Sequence, residues 1–484
     1  MLGLVYTAAF AVIVEQWQAL LGSHGLLPAA AYLDAARRVY GDGADAFLQL
    51  PTLFWLGSSD AIFRACGWLG LGLSLALLLG LANVPMLALL WLLYLSFVHV
   101  GQIFYGYGWD ILLLEAGFLA IFLAPLARPW PFPQSSPPSR VVIVLLRWLT
   151  LRLMLGAGLI KLRGDPCWRD LSCMVFHYET QPNPNPLSWY FHHLPIVFHQ
   201  LEVLVNHAVE LVAPLFVFGP RRLRRLAGGA IIGFQVLLIL SGNLSFLNWL
   251  TIAVAIACLD DGVLRSLAPR RLLDRLEAQG SNAKAGRART IVAYALASLV
   301  AVLSVNPTSN LLSSRQLMNA GFDPFDLVNT YGAFGSISRQ RFEIVLEATA
   351  DDPAAPTARW IELPFECKPG ETSRRPCWIS PYHERLDWQM WFLAMPGAGT
   401  DAWFVHLVAK LLEGDPVTRR LLAPGPFETA PPRAIRARYY EYRFTHWGEP
   451  RDWWERTPVG EYLPPLTRDD PRLVEALRSR GWAP

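Results

Sequence analysis

Residues 161–195 read KLRGDPCWRDLSCMVFHYETQPNPNPLSWYFHHLP and lie between two long apolar runs. We call this segment the polar loop, because it concentrates charged, aromatic and histidine side chains. Pro182, Pro184 and Pro186 stand at alternate positions, and such prolines favour a stiff, extended path. A stiff loop holds its polar groups in fixed directions. The candidate site residues of the loop are Lys161, Arg163, Asp165, Trp168, Arg169, Asp170, His177, Tyr178 and Glu179.

Apolar residues are collected in long runs over the first two thirds of the chain. The chain is 53% hydrophobic and 17% charged, whereas a soluble domain is about 25% charged. Each run approaches the roughly 20 apolar residues that a bilayer core requires. The predicted fold is a polytopic α-helical membrane domain, residues 1–305, with about nine transmembrane helices, followed by a soluble, β-rich α+β domain, residues 306–484. The runs lie at about 2–21, 61–81, 85–100, 111–125, 141–162, 195–218, 226–240, 247–259 and 291–305.

Two basic clusters set the predicted orientation, because cytoplasmic loops carry an excess of Lys and Arg. One follows the sixth run and the other lies between the eighth and ninth runs. With both in the cytoplasm, the polar loop and residues 306–484 fall on the non-cytoplasmic side, lumenal or periplasmic, and Arg128 and Arg140 fall on the cytoplasmic side. The clusters are Arg221, Arg222, Arg224 and Arg225, and Arg265, Arg270, Arg271, Arg275, Lys284, Arg287 and Arg289.

The C-terminal part shows the alternation of strands. Apolar residues alternate over 342–348 and again over 361–367, with the turn-like DDPAAPT between them, which predicts a β-hairpin. Tyr440, Tyr442 and Phe444 mark one face of a third strand. A helix is predicted from Thr400, an N-cap type, to Gly414, a typical residue after a helix C-terminus.

The six cysteines separate into two classes. Cys66 and Cys258 lie in apolar runs, where a free thiol behaves as a small hydrophobe. Cys167 with Cys173, and Cys367 with Cys377, are local pairs on the predicted oxidising side, where disulfides are stable. Structural disulfides are favoured, with buried free thiols as the alternative. Neither spacing matches the C-x-x-C of redox enzymes.

Ionisable residues inside the apolar runs form a second group of candidates. Such groups are costly at membrane depth and are usually paired. Two interpretations stay open, an internal polar network that holds the helices in register and a ligand or proton site. Glu202 and Glu210 are expected on one helix face, with His207 close to Glu210. The group is Asp110, Glu115, Glu202, His207 and Glu210.

Several function classes find little support. His177, Glu179, His192 and His193 do not follow zinc-ligand spacing, so no metal is expected. The chain has neither a Gly-rich phosphate loop nor a G-x-S-x-G elbow, so a lipase activity of its own is disfavoured. A net charge of +3 with clustered basic residues gives no indication of nucleic-acid binding.

Six segments together resemble the lipase maturation factor family: GDPCWRDLSCMVFHYETQP, NPLSWYFHH, GWDILLLEAGFLAIFLAP, SGNLSFLNWLTI, PFECKPG and RLDWQMWF. The resemblance runs from about residue 25 to about residue 463. It implies a membrane protein of the endoplasmic reticulum, not an enzyme and without a cofactor, that assists folding and assembly of secreted lipases. Its partners would be dimeric lipases related to lipoprotein lipase, and membrane lipids. The Ala, Leu and Arg-rich composition is typical of bacteria, where the location would be the inner membrane.

In the family the C-terminal domain takes part in client binding, and RLDWQMWF lies in that domain. Its candidate client-binding residues are Arg385, Asp387, Trp388 and Trp391. Trp and Arg are favoured at binding faces but are also ordinary core residues, and a core position is the favoured interpretation. The hypothesis is that the polar loop is a rigid platform and that client contact lies in the C-terminal domain. Asp170→Ala is then expected to lower stability.

A second, short resemblance points to an enzyme. GAGLIKLRGDPCW is similar to the membrane domain of vitamin K-dependent carboxylases, in which a buried lysine acts as base. Lys161 would be that base here, with a pKa lowered by burial, and His177 and Glu179 would be its catalytic partners. The identity of what co-purifies, a quinone or lipid against an unfolded secreted protein, discriminates between the two functions.

Overall fold

All nine apolar runs form helices in the structure, a computed structural model that describes residues 1–41, 43–126, 138–267, 270, 286–448 and 452–482. Arg128, Arg271, Arg275 and Lys284, part of the orientation argument, lie outside these residues. The helices of the first two thirds are α1 Leu2–Leu21, α2 Ala29–Tyr40, α3 Ala44–Gln49, α4 Asp60–Leu78, α5 Val84–Val100, α6 Gly108–Ile121, α7 Arg140–Arg163, α8 Cys173–Thr180, α9 Ser188–His192, α10 Ile196–His207, α11 Arg221–Ser241, α12 Leu247–Ala255, α13 Asp261–Leu267 and α14 Arg287–Leu303.

The number of helices able to cross a membrane is smaller than expected. Within the described residues, six helical segments are long and apolar enough. The prediction of about nine transmembrane helices is therefore not confirmed as a count. α6, with 14 residues, is about 21 Å long at the helical rise, against a hydrocarbon core of about 30 Å. The six segments are Leu2–Leu21, Asp60–Leu78, Arg140–Arg163, Ile196–Phe216, Arg221–Ser241 and Arg287–Leu312.

Local sequence signals explain where several helices begin and pack. Asn83 caps α5 by accepting a hydrogen bond from the backbone N–H of Met86 at 2.9 Å, with Pro85 in the first turn. Gly70 on α4 lies against the ring of Phe10 on α1, where a Cβ would overlap the ring. This glycine therefore permits the close approach of α1 and α4.

The C-terminal part is built on one antiparallel sheet of strand order β2-β1-β3-β4. The predicted hairpin is confirmed, since Ala348 pairs with Ile361. β2 is shorter than expected, because the N–H groups of Cys367 and Lys368 bond to the Asp387 carboxylate rather than to a strand. The strands are β1 Arg341–Thr349, β2 Ile361–Glu362, β3 Ala434–Phe444 and β4 Trp454–Thr467, and the helices are α15 Val305–Leu312, α16 Arg385–Leu393, α17 Ala402–Glu413, α18 Pro416–Arg419 and α19 Pro471–Arg478.

Two further outcomes concern the ends of these elements. The helix predicted from Thr400 is confirmed as α17, but Asp401 is its N-cap residue and Gly414 follows it in the left-handed conformation with φ 71°.

β4 was not predicted. It contains Pro458, Pro464 and Pro465, which argue against a strand, and it is tolerated because it lies at the edge of the sheet.

The sheet domain packs directly on the membrane helices through α16. One continuous set of buried apolar side chains includes Phe10 of α1, Tyr94 of α5, Trp388 of α16 and Ile435 of β3. The boundary between residues 1–305 and 306–484 stays a prediction, since the core crosses it. The packing nevertheless fixes the polar loop between the helices and the sheet.

Candidate functional site

A large cavity lies where the membrane helices, the polar loop and α16 meet. Its volume is about 660 Å³, within the range of about 300–1,000 Å³ that is usual for ligand pockets. Its lining comes from helices α7, α10, α11 and α12, from the polar loop and α16, and from residues 106–109 and 318–336. Most lining side chains are apolar or aromatic. This arrangement makes the cavity the candidate site of the chain.

Lys161 is buried in the cavity wall and is paired with Glu210. Its Nζ donates to the two carboxylate oxygens of Glu210 at 2.6 and 2.7 Å and to Oδ1 of Asn206 at 2.9 Å. It also lies 5.0 Å from the centre of the Trp168 ring. Glu210 reaches this position from a single π-helical turn, Ala208–Val212, at the end of α10. The three N–H bonds of an ammonium are thus used within the protein.

This geometry gives no support to the carboxylase-like interpretation of Lys161. A lysine that acts as base must present a nitrogen lone pair to its substrate, whereas Lys161 is held as an ion pair by three acceptors. The proposed partners also form no hydrogen bond with Lys161 in the part of the chain that the structure describes. The Glu179 carboxylate accepts from the backbone N–H of Phe444 at 2.7 Å.

His177 lines the same cavity and is buried. Burial, with a smaller contribution from the charge of Lys161, lowers the pKa of His177 to about 3. The imidazole is therefore neutral at physiological pH. Its Nδ1 has no hydrogen-bond partner in the described part of the chain.

Asp165 is the charged residue that organises the start of the polar loop. It caps a short helix by accepting from the N–H of Cys167 at 3.0 Å, and Arg339 donates to its two carboxylate oxygens at 3.0 and 2.7 Å. The hydrogen bonds from Arg339 are the main reason that the pKa of Asp165 falls to about 2. Trp168 donates to the carbonyl of Phe334 at 2.8 Å. The platform interpretation of the loop therefore rests on Asp165 and Trp168.

The other charged loop residues lie closer to the surface. Arg163 donates to Gln316 at 2.7 Å and Arg169 to the carbonyl of Leu162 at 2.7 Å. Asp170 is exposed, and in the described structure its carboxylate has no ion pair or hydrogen bond. The expectation that Asp170→Ala lowers stability is therefore wrong in its premise, because no buried cation depends on this carboxylate.

We expect Asp165→Ala to reduce the free energy of unfolding by about 1–2 kcal/mol, as for loss of a helix cap, and Asp170→Ala to leave it nearly unchanged. Thermal unfolding of the detergent-solubilised protein measures both. The depressed pKa of Asp165 means that its contribution is complete above its ordinary value of 3.8 and is lost as the pH falls towards about 2. Equal effects of the two variants would contradict this assignment.

Both predicted disulfides are confirmed. Cys167 pairs with Cys173, with Cα atoms 4.8 Å apart, and Cys367 pairs with Cys377, with Cα atoms 5.5 Å apart. Cys66 and Cys258 are free, as expected. The first bridge closes the polar loop around Trp168, and the second closes the segment before α16.

The ionisable residues within the apolar helices form paired networks. Asp110 accepts from Arg385, and from the Tyr94 hydroxyl at 2.5 Å. Glu115 pairs with Arg152. Glu202 faces His199 at 3.2 Å, and His207 bonds the carbonyl of Trp168 at 2.9 Å rather than Glu210. Glu202 and Glu210 both line the cavity, so their common face is as expected. The structure favours the polar-network interpretation for Asp110 and Glu115.

Most of the client-binding candidates do not lie on a surface that a partner could contact. Arg385, Asp387 and Trp388 are buried, whereas Trp391 is half-buried and donates to the carbonyl of Thr180 at 3.0 Å. Arg385 binds Asp110 on α6, and Asp387 binds the backbone of Cys367 and Lys368. The core interpretation is therefore correct for the first three, because Arg385 joins the sheet domain to α6, Asp387 bonds within the sheet domain, and the Trp388 ring packs in the apolar core.

Several residues of these networks were missed from sequence. Arg152 was visible as an isolated arginine within the apolar helix α7, a position that predicts a buried acidic partner. Arg341 and Glu343 on β1 gave no such signal, since charges at alternate strand positions usually face solvent, and Lys368 lies outside the strands. Among the described residues, no three His, Cys, Asp or Glu side chains are grouped to hold a metal ion.

Known proteins and family models match this chain over nearly its whole length. The family model "Lipase maturation factor transmembrane domain" matches residues 1–266, and "Lipase maturation factor C-terminal domain" matches residues 327–464. The chain is 48% identical to Lipase maturation factor 1 of Bos taurus over 99% of its own length and 90% of the relative's. The identity is 45% to the Homo sapiens protein of that name and 32% to Homo sapiens Lipase maturation factor 2, over 99% of this chain and 88% and 83% of theirs. No solved structure matches.

Proposed function

The chain belongs to the lipase maturation factor family, and on that premise we propose that it assists the folding and assembly of secreted lipases as a multi-pass membrane protein. The single observation that carries the proposal is the 48% identity to Lipase maturation factor 1 of Bos taurus over nearly the whole chain. The relatives are named as maturation factors, and the pairing of Lys161 with Glu210 gives no independent reason for an enzyme.

We propose that clients contact the C-terminal domain, and that the buried residues of α16 act by positioning that domain. Arg385 ties it to Asp110 on α6, and Arg341 on β1 donates to the carbonyls of Glu179, Gln181 and Pro182 in the polar loop. A domain anchored at two places presents a fixed surface beside the membrane. Such a surface would shield exposed apolar parts of a folding client from aggregation.

The experiment that tests the function is rescue of lipase secretion. Cells that lack their own maturation factor are made to express a dimeric secreted lipase together with this chain, and lipase activity in the medium is measured. We expect a clear gain over cells without the chain, and the same gain with Asp170→Ala, which changes only an exposed carboxylate. A folded, membrane-inserted chain that restores no activity would contradict lipases as clients.

We propose that the polar loop and the C-terminal domain face the lumen of the endoplasmic reticulum, or the periplasm if the source is prokaryotic. Both disulfides lie in these parts, and oxidising compartments favour disulfides. On the other side, Arg221 and Arg225 at the start of α11 pair with Asp260. Basic residues at helix ends are typical of the cytoplasmic face.

The orientation predicts the activity of a terminal fusion. A reporter enzyme that is active only in the cytoplasm, fused after the last residue, is expected to be inactive, because the C-terminal domain is translocated. A second fusion, placed directly after Pro220, is the matched control and is expected to be active. The reverse pattern would contradict the orientation and with it a direct action on secreted clients.

A further inference from the structure

The cavity beside Lys161 contains buried polar atoms that the protein itself leaves without partners. In the described structure, four lining side chains carry such atoms: Nε1 of Trp109, Nε1 of Trp388, Nδ1 of His177 and Oδ1 of Asn248. Each of these residues is at most 6% exposed. Buried polar groups are normally hydrogen-bonded, because an unpaired one costs free energy. Unpaired groups that share one cavity point to a ligand that satisfies them.

These groups are mainly hydrogen-bond donors. The two indole nitrogens only donate, and the neutral imidazole of His177 carries one N–H. Trp109 and Trp388 stand close together, with ring centres 4.8 Å apart in an edge-to-face arrangement. A ligand that fits them must therefore present acceptor oxygens to this wall. Asn248 adds one acceptor, its Oδ1. Its Nδ2 already donates to Oε1 of Gln235 at 2.8 Å.

The charges on the wall disfavour an anionic ligand. The one buried cation of the lining, Lys161, is neutralised by Glu210 with three hydrogen bonds. Glu202 adds a carboxylate beside His199. Among the described lining residues no cation is left for a phosphate or a free carboxylate. The acceptors of the ligand are thus uncharged oxygens, such as those of carbonyl groups.

The surroundings of the cavity indicate where such a ligand comes from. Phe198 and Leu201 on α10 and Leu237 on α11 line the cavity and are about half exposed on the outer surface of the helices. α10 and α11 belong to the segments that are long and apolar enough to cross a membrane. The cavity therefore borders the hydrocarbon region between these helices, and an apolar ligand has access from the bilayer.

We propose that this cavity binds a neutral membrane lipid whose polar end presents carbonyl oxygens. The carbonyls accept hydrogen bonds from the indoles of Trp109 and Trp388 and from His177, and the apolar chain lies between α10 and α11. Acylglycerols and isoprenoid quinones share this chemistry, and the experiment distinguishes the two sources. The proposal goes beyond lipase maturation and does not depend on it.

The test uses the full chain in phosphatidylcholine nanodiscs and a diacylglycerol whose acyl chain carries a photoactivated diazirine. We expect saturable labelling of α7, α10 and α11, mapped by peptide mass spectrometry. Unlabelled dioleoylglycerol is the competitor in one arm, a prenylated benzoquinone in a second and dioleoylphosphatidic acid in a third. Competition by dioleoylglycerol identifies an acylglycerol as the ligand, and competition by the benzoquinone identifies a quinone. Labelling spread evenly over the lipid-facing helices, or equal competition by the anionic lipid, would overturn the proposal.

Variants separate the site from general lipid contact. Trp388→Phe replaces the indole by a smaller aromatic ring without an N–H, and it is expected to raise the concentration of competitor that halves the labelling about three- to tenfold, as for one lost hydrogen bond. Ala157→Phe on α7 fills the cavity and is expected to abolish the saturable labelling. Trp482→Phe, whose ring packs on His406 outside the cavity, is the matched control. If Trp388→Phe binds like the unchanged protein and like Trp482→Phe, the assignment of the wall as the carbonyl-binding part is wrong.

Discussion

Arg385→Leu is expected to lower the free energy of unfolding by about 3–5 kcal/mol, because it leaves the buried carboxylate of Asp110 without its cation. Arg385 and Asp110 are both fully buried, and Nη2 of Arg385 donates to Asp110 at 2.9 Å. The guanidinium also donates to the carbonyl of Phe104 at 2.5 Å. One side chain thus connects α16 of the sheet domain to the segment that precedes α6.

Two further variants show whether the loss comes from a stranded charge. The double variant Arg385→Leu with Asp110→Leu removes both charges and is expected to recover part of the stability, as replacement of buried pairs by apolar residues often does. Arg433→Ala is the control, because Arg433 and Asp352 form a pair that is more than half exposed, and such pairs contribute about 0–1 kcal/mol. Unfolding midpoints in detergent measure all three. A loss after Arg433→Ala as large as that after Arg385→Leu would contradict the argument.

Glu343→Ala is expected to have an effect of similar size within the sheet domain. Glu343 on β1 is fully buried and pairs with two cations, Arg341 at 2.5 Å and Lys368 at 2.7 Å. Its removal takes away the carboxylate that both buried cations contact, which we expect to cost about 3–5 kcal/mol. Arg341 would lose the contact that orients it towards the carbonyls of the polar loop.

Amide hydrogen exchange tests the Glu343→Ala prediction segment by segment. If Glu343 orients Arg341, then Glu343→Ala raises amide exchange in the polar loop around residues 179–182 as well as in β1. Glu441→Ala is the matched control, since Glu441 lies on the neighbouring strand β3 and pairs with Arg443, whose side chain is 64% exposed. Fast exchange confined to β1 would show that the polar loop is held by other contacts.

The features predicted correctly from sequence are the local ones. All nine helices follow from runs of apolar residues, and the pairing of Cys167 with Cys173 follows from a separation of 6 residues. The pair of Arg385 and Asp110 lies 275 residues apart, and neither residue indicates the other. Arg385 was a client-binding candidate, with a core position as the alternative, because an arginine among tryptophans is typical of interfaces. An arginine among tryptophans is also stable in a protein core when an acidic residue from a distant helix pairs with it.

The cavity could not be predicted from the sequence either, although its charged residues and its histidine were among the candidates. Lys161, His177, Glu202 and Glu210 were all candidates, but their grouping depends on the π-helical turn after α10 and on the position of α16. Trp109 and Asn248 were not singled out, because an indole or an amide within an apolar run carries no signal of its own. Only the folded chain shows that their polar atoms share one space.

The prolines of β4 have a consequence for the proposed function, in which the sheet domain lies beside incompletely folded clients. β4 forms one edge of the sheet, and its outer side has no partner strand among the described residues. An open edge can template the addition of a strand from another polypeptide, which leads to aggregation. Pro458, Pro464 and Pro465 remove three N–H groups from β4. In the proposed function, this edge of the sheet can thus remain close to unfolded clients without being extended by them.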